Sequence, residues 1–194
     1  MKARSMRLVS QRLILRDWQE DDRLPFAEMS LDPTVMEHLR PLTTKKASDA
    51  WIDFQIKHQR SYGFCLWAVE LRSTAQFIGC AGLLRLDFPA PFTPAVEIGW
   101  RLARAFWSQG FATEAAQEAL KFGFDDCRLE EIVAHAGIRN VRSHRVMTKL
   151  GMSHDDADDF DHPKLGETDP LRRQVLYRLS RSSWQASASS RDRC

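Results

Sequence analysis

The sequence predicts an α/β or α+β fold in which a single sheet carries helices on both faces. Strand-like segments crowd the first half of the chain, and the second half alternates strand, helix, strand, helix, strand. No repeat and no Pro/Gly-rich linker divides the 194 residues, a length that suits one domain with a sizeable core. That domain is expected over 1–180, with 181–194 a disordered Ser/Ala/Arg tail.

Each element has a local reason. Arg12-Leu13-Ile14-Leu15-Arg16-Asp17-Trp18 alternates closely enough for a first strand. Gln19-Glu20-Asp21-Asp22 then supplies acidic helix-start chemistry ahead of core candidates Leu24, Phe26, Ala27 and Met29. Asp32-Pro33-Thr34 breaks that helix, 35–39 restarts it briefly, and 45–60 reads as the next one. Residues 64–71 and 76–86 read as a hairpin turning in Arg72-Ser73-Thr74-Ala75. Pro89, Pro91 and Pro94 make 88–94 a loop, because proline cannot donate to a sheet ladder. Ala95 to Leu102 is the next strand. In the helix from about Gly110 to Asp126, Ala112, Ala115, Ala116, Ala119, Leu120 and Gly123 form one side, small enough to lie close to a sheet, and Thr113, Glu114, Gln117, Glu118 and Lys121 the other. Ile132 to Ala136 is a strand, Asn140 caps a helix that Gly151 ends, and 153–169 is an acidic, His-containing loop. Gln174 to Leu179 is the last strand.

Composition excludes several classes. The chain is 43% hydrophobic and 28% charged, with a net charge of +2 too balanced to imply nucleic acid or a membrane surface. Apolar runs fall short of the roughly 20 residues a membrane helix needs, and the N-terminus lacks a secretory apolar region. Cys65, Cys80, Cys127 and Cys194 show no paired spacing, and the first three sit in apolar surroundings suited to buried thiols. A cytoplasmic protein is expected, binding neither nucleic acid nor membrane.

The strongest chemical feature is Gln109-Gly110-Phe111-Ala112, between a strand and an alanine-rich helix. The first amides of a helix have no intrahelical partner, and its dipole is positive there. Gly110 lets the backbone bend towards a ligand and Ala112 leaves the amides unshielded, so a diphosphate fits. An ordinary glycine-containing turn has the same sequence. Asn140 and Ser143, as N-cap and N3, can simply satisfy helix-start amides. His135 reads as a hydrogen-bonded core histidine. His154 and His162 lie among Asp155, Asp156, Asp158, Asp159 and Asp161 without metal-ligand spacing, so a solvated loop and no metal are expected.

From Glu97 to Gly151 these pieces resemble the acyl-CoA core of the GNAT superfamily of acetyltransferases. Gly110 and Ala112 match the second half of its (Gln/Arg)-x-x-Gly-x-(Gly/Ala) pattern. Trp107 stands where Gln or Arg is usual, as in the branch resembling ribosomal-protein N-terminal (alanine/serine) acetyltransferases, which often has glycine in place of Ser108. Phe111-Ala112-Thr113-Glu114-Ala115, Arg12-Leu13-Ile14-Leu15-Arg16 and Asp32-Pro33-Thr34-Val35-Met36 also look like this branch, so the resemblance runs from Arg12 to Leu179.

The resemblance implies a mixed, mostly antiparallel sheet of about seven strands, splayed in the middle. It implies acetyl-CoA as co-substrate. Pantetheine would pair with the strand at Ile98, Gly99, Trp100 and Leu102. Trp100 is either core or a wall of the acceptor pocket. The diphosphate would sit on Trp107, Ser108, Gln109, Gly110, Phe111, Ala112 and Thr113. Asn140 would hold the pantetheine, and Ser143 would protonate the departing thiolate. Many relatives use a tyrosine there, and none lies between Asn140 and Gly151. Glu97 is the natural base for the acceptor ammonium, with Asp87, Asp155 and His135 as alternatives. The amine would attack the thioester directly, without a covalent enzyme intermediate, and strand amides would stabilise the oxyanion. A non-catalytic acyl-CoA-binding regulatory module would keep Gly110, Ala112 and Asn140, whereas retention of Ser143 and Glu97 favours turnover. The acceptor, a protein or peptide N-terminus or a small-molecule amine, would be shaped by 32–44, 88–94 and 153–169. A homodimer is common among similar proteins.

Overall fold

The computed structural model describes residues 7–191. It forms two compact units, one holding the chain to Leu84 with Gly99–Ala119, the other Arg85–Ile98 with the chain from Leu120.

In the first unit, β1 (Arg7–Val9) and β2 (Leu13–Arg16) form an antiparallel pair, Leu8 opposite Leu15. A 3-10 turn, Glu20–Asp22, leads into α1 (Arg23–Leu31). Asp32 accepts from the Thr34 amide at 2.8 Å and starts α2 (Pro33–Met36), where Pro33 sits at a position with no amide to satisfy. Thr44 caps α3 (Lys45–Tyr62) through the Ala47 amide at 3.1 Å, and Gly63 ends it at φ 83°. β3 (Leu66–Leu71) and β4 (Phe77–Leu86) make the expected hairpin. The strand order is β1-β2-β3-β4, then β5 (Ala95–Leu102). β4 and β5 come very close at Gly79, where an added Cβ would lie 2.2 Å from the Arg101 carbonyl oxygen, so no larger residue fits. Trp67, Phe26, Leu13, Leu15, Ile52, Ile78 and Leu83 are fully buried. α4 (Phe111–Lys121) buries Ala115, Ala116 and Ala119 completely, as its small-residue stripe predicts.

The second unit is built on β6 (Glu131–Gly137), reached from α4 through a wider π-helical turn at Phe122–Asp126. α5 (Val141–Lys149) follows, then β7 (Ser153–His154), β8 (Phe160–Asp161) and β9 (Arg173–Ser180). β6 and β9 are antiparallel from Glu131↔Ser180 to Gly137↔Gln174, and β7 and β8 both pair with β9. β5 runs parallel to β6, with pairing confined to Glu97↔Val133. Of the nine strands, β7 and β8 are two residues long, which leaves seven longer ones.

The sequence misses three features. The acidic loop carries β7 and β8, too short for an alternating pattern. β1 shows only three residues of alternation. Residues expected as a disordered tail form α6 (Arg181–Arg191), anchored where Trp184 is buried against Phe124 at 5.7 Å and Arg181 donates to the Leu129 carbonyl at 2.9 Å. Ser/Ala composition hid one apolar anchor, and a single buried tryptophan ring is enough to hold a short helix down. Residues 192–194 of that tail, Cys194 among them, lie outside the described residues. Cys65 and Cys80 are buried and Cys127 half-buried, all free thiols. Among the described residues no helix is long and apolar enough to cross a membrane.

Candidate active site

The turn into α4 is shaped by two left-handed residues, Ser108 at φ 60° and Gly110 at φ 82°. The first helical bond is Glu114 N–H to the Gly110 carbonyl at 3.0 Å, so the amides of Phe111, Ala112 and Thr113 lie before it. An added Cβ on Gly110 would meet only Arg12 Nη2, at 3.4 Å. Glycine is needed there for its backbone angle and not for space. Trp107 turns its indole N–H to the Leu102 carbonyl at 2.8 Å, tying the turn to the end of β5. Ser108 pays for its angle as a non-glycine residue. Ser108→Gly, which places there the residue often found in the resembling branch, is expected to raise Tm by about 1–2 °C, measured calorimetrically. Relief of left-handed strain exceeds the added unfolded-state entropy by roughly 0.5 kcal/mol.

Arg12 and Glu114 brace this turn, and neither has a site role in the sequence reading. Glu114, placed there on the polar side of its helix, instead accepts from the Ser10 hydroxyl and the Arg12 amide, both at 2.7 Å, and from Arg12 Nε at 2.6 Å. Arg12 Nη1 donates to the Gln109 carbonyl at 3.1 Å, and its guanidinium lies 4.4 Å from the centre of the Phe111 ring. Burial is the largest influence on the Glu114 carboxyl and raises it, but the Ser10 and Arg12 bonds together hold it below its ordinary value. The partners are about a hundred positions apart, so no local pattern reveals the brace.

The second unit holds Glu97 on β5. Its carboxylate lies 3.2 Å from His135 Nε2, with 17% and 15% of the two side chains exposed. Burial pushes the Glu97 carboxyl up from its ordinary range, and His135 opposes the rise. On its far side His135 Nδ1 lies 2.9 Å from Gln174 Oε1, and Gln174 Nε2 donates to the Leu171 carbonyl. A carbonyl can only accept, so the Gln174 amide nitrogen must face Leu171 and its oxygen must face His135. That oxygen also only accepts, so Nδ1 carries a proton. His135 Nε2 is therefore the ring nitrogen that faces the Glu97 carboxylate. Phe160 and Phe88 stand edge-on to the imidazole at 5.5 and 6.2 Å. His135 is thus the hydrogen-bonded histidine that the alternation of β6 predicts, but it is bonded to the candidate base.

On α5, Asn140 Oδ1 caps the Ser143 amide at 3.2 Å, so both predicted residues meet through the cap. The Asn140 amide nitrogen keeps its donors, and no described residue bonds the Ser143 hydroxyl. Ile98 and Leu102 are buried, leaving their backbone as what they offer a ligand. Gly99 and Trp100 lie between them on β5, with Trp100 half-buried. Asp87 pairs with Arg85 at 2.8 Å, and Asp155 caps the turn at Ala157 at 3.0 Å. In the acidic loop, His154, Asp156 and Asp159 bring potential ligand atoms within 4.8 Å of one another. His154 and Asp159 bond each other at 2.9 Å.

The turn into α4 offers helix-start amides of the kind that hold a diphosphate such as that of an acyl-CoA. The residues fit such a group: the left-handed turn bares the helix-start amides, and only Arg12 Nη2 lies within 4 Å of where a Cβ on Gly110 would stand. The chain belongs to the GNAT acetyltransferases, since the Acetyltransferase (GNAT) domain matches residues 12–153. It is 31% identical over 147 residues to the uncharacterized protein YkkB of Bacillus subtilis (strain 168), covering 75% of this chain and 84% of that protein. It is 26% identical over 166 residues to the FsC-acetyl coenzyme A-N(2)-transacetylase of Aspergillus fumigatus, covering 81% and 68%. Its fold is similar to the solved structure of RimL, a ribosomal L7/L12 α-N-protein acetyltransferase in complex with coenzyme A, with TM-score 0.73, 16% identity and coverage of 90% and 98%. The protein is an acetyl-CoA-dependent acetyltransferase.

Proposed function

We propose that the protein transfers the acetyl group of acetyl-CoA directly to a primary amine, with 1–180 working as one catalytic domain and no metal taking part. The observation that carries this reading is the Glu97–His135 pair, in which burial raises the proton affinity of a carboxylate suited to take a proton from an ammonium. Acetyl-CoA supplies the activated acyl group. The Phe111–Thr113 amides hold its diphosphate, with Trp107, Ser108, Gln109 and Gly110 shaping the turn, and the β5 backbone at Ile98–Trp100 and Leu102 holds the pantetheine together with Asn140. Glu97 takes the acceptor proton. Ser143 Oγ gives a proton to the leaving sulfur.

The test joins a thermal-shift titration with a thiol-release assay. Acetyl-CoA at about a hundred times its Kd is expected to add roughly 2.7 kcal/mol, several degrees in Tm, and CoA a comparable shift, whereas NADH gives none. Thiol release is then expected with one or more members of a panel of peptide N-termini and small primary amines. A shift without thiol release for any amine makes the protein a regulatory acyl-CoA binder. No shift sinks the reading of the α4 turn.

A further inference from the structure

Gln174, on β9 in the second unit, is a polar residue that the fold buries to 6% exposure. Burying an amide is unfavourable unless both of its ends are bonded, and both are. Nε2 donates to the Leu171 carbonyl, three residues back in the chain, and Oε1 lies 2.9 Å from His135 Nδ1. Strand register brings the two side chains together. His135 stands opposite Leu176, and Gln174, two positions away, shares its face of the sheet as the diagonal neighbour.

The rest of the imidazole surroundings is aromatic. Phe160 on β8 and Phe88 stand edge-on to it, the His162 ring lies 5.9 Å away, and Lys164 Nζ lies 5.9 Å from the centre of the Phe88 ring. Among the described residues the side chains that meet the ring nitrogens are Glu97 at Nε2 and Gln174 at Nδ1. Both present acceptors. A neutral imidazole has one donor and the cation has two, so an acceptor at each nitrogen matches the doubly protonated ring. Glutamine supplies the second acceptor without a second negative charge, which leaves the cation to pair with Glu97 alone. That charge opposes the rise that burial imposes on the Glu97 carboxyl.

We propose that Gln174 is a positioning residue for the proton step: its oxygen holds Nδ1–H and so turns Nε2–H of a cationic His135 onto Glu97, which keeps that carboxylate able to accept. This rests on the acetyltransferase reading above, in which Glu97 takes the acceptor proton. In that step an N–H bond of the ammonium breaks, and the nitrogen keeps the electron pair with which it attacks the thioester. The proton joins a Glu97 oxygen. Gln174 touches none of the reacting atoms and acts through His135. Without its oxygen the cation has a buried N–H unmade, so the neutral ring is favoured and Glu97 loses its counter-charge.

The variant that tests this is Gln174→Met, of similar length but with no oxygen, with Gln174→Leu as a second apolar replacement. Circular dichroism and the acetyl-CoA thermal shift establish that they fold. The first arm reads the His135 ring nitrogens by ¹⁵N NMR, assigned by their loss in His135→Gln. Nδ1 is expected to carry its proton in wild type, and the proton of the neutral ring to move to Nε2 in Gln174→Met. The second arm follows kcat/KM by thiol release against pH. The acid limb of Gln174→Met is expected to move up by about one pH unit, a loss of roughly tenfold on the limb that is recovered at high pH. The same displacement is expected in a His162→Gln background, which removes the other titrating ring on this face. A wild-type Nδ1 without a proton overturns the proposal, as does a loss of rate equal at every pH or a limb that stays in place. A displacement that vanishes in the His162→Gln background overturns it too. Absence of thiol release with every amine is instead a failure of the acetyltransferase reading. In that case a proton that moves to Nε2 in Gln174→Met still supports the hold of Gln174 on His135, and one that stays on Nδ1 overturns it.

Discussion

Glu97→Gln is expected to lower kcat/KM for amine acceptors by roughly two to four orders of magnitude, the usual worth of a positioned proton acceptor, while leaving the acetyl-CoA thermal shift in place. Glutamine keeps the volume of the side chain and a bond to His135, but it cannot take a proton. The pH profile separates this from a packing defect. Wild-type kcat/KM should rise through a carboxyl pKa held above its ordinary range by burial and restrained by His135. In Glu97→Gln that acid limb disappears. His135→Gln removes the restraint, so its limb moves to higher pH. Stability moves the other way. A carboxyl whose folded pKa is raised favours the folded state when protonated, so its contribution is present below the ordinary carboxylate pKa and is lost as pH rises through the raised value. The Tm of wild type relative to Glu97→Gln should therefore fall across that window. A glutamine variant with wild-type turnover and an unchanged acid limb would remove Glu97 from the chemistry.

What the sequence discloses about this site is what local chemistry determines. Asn140 and Gly151 bracket α5 because a capping side chain and a left-handed C′ residue are specified within one turn of the helix they end, and both stand where they are expected. The limits of β5 are legible for the same reason, between a proline loop and a turn. The brace from Arg12 to Glu114 and the chain from Glu97 through His135 to Gln174 are not. Each joins residues 38 to 102 positions apart in sequence, 135 minus 97 at one extreme and 114 minus 12 at the other. In each case an ordinary polar residue becomes functional only through its partner. His135 shows the limit most clearly. Alternation along β6 places it inward and hydrogen-bonded, yet which atoms it meets depends on β5 and β9 lying to either side of β6. Trp184 is hidden by composition, a lone anchor in a Ser/Ala segment.

The α4 turn supplies the second large effect, because there a backbone angle and a ligand site coincide. Gly110→Val is expected to weaken acetyl-CoA binding by about ten- to a hundredfold, equivalent to ~1.4–2.8 kcal/mol, as measured by isothermal titration. Space is not the obstacle, for the new Cβ would meet only Arg12 Nη2, in ordinary contact at 3.4 Å. The obstacle is φ 82°, where a β-branched residue is strongly disfavoured. The chain relieves that strain by rotating residue 110 towards negative φ. Because Arg12 holds the Gln109 carbonyl on one side and Glu114 on the other, the rotation is forced into the segment between them, which carries the open amides of Phe111, Ala112 and Thr113. Gly110→Asn is the control: asparagine adopts left-handed angles readily, so it adds a side chain of similar size and should retain most of the affinity. If both variants weaken binding equally, the side chain and not the angle is responsible, and the turn does not work as a conformationally set diphosphate receptor. If neither does, the diphosphate binds elsewhere.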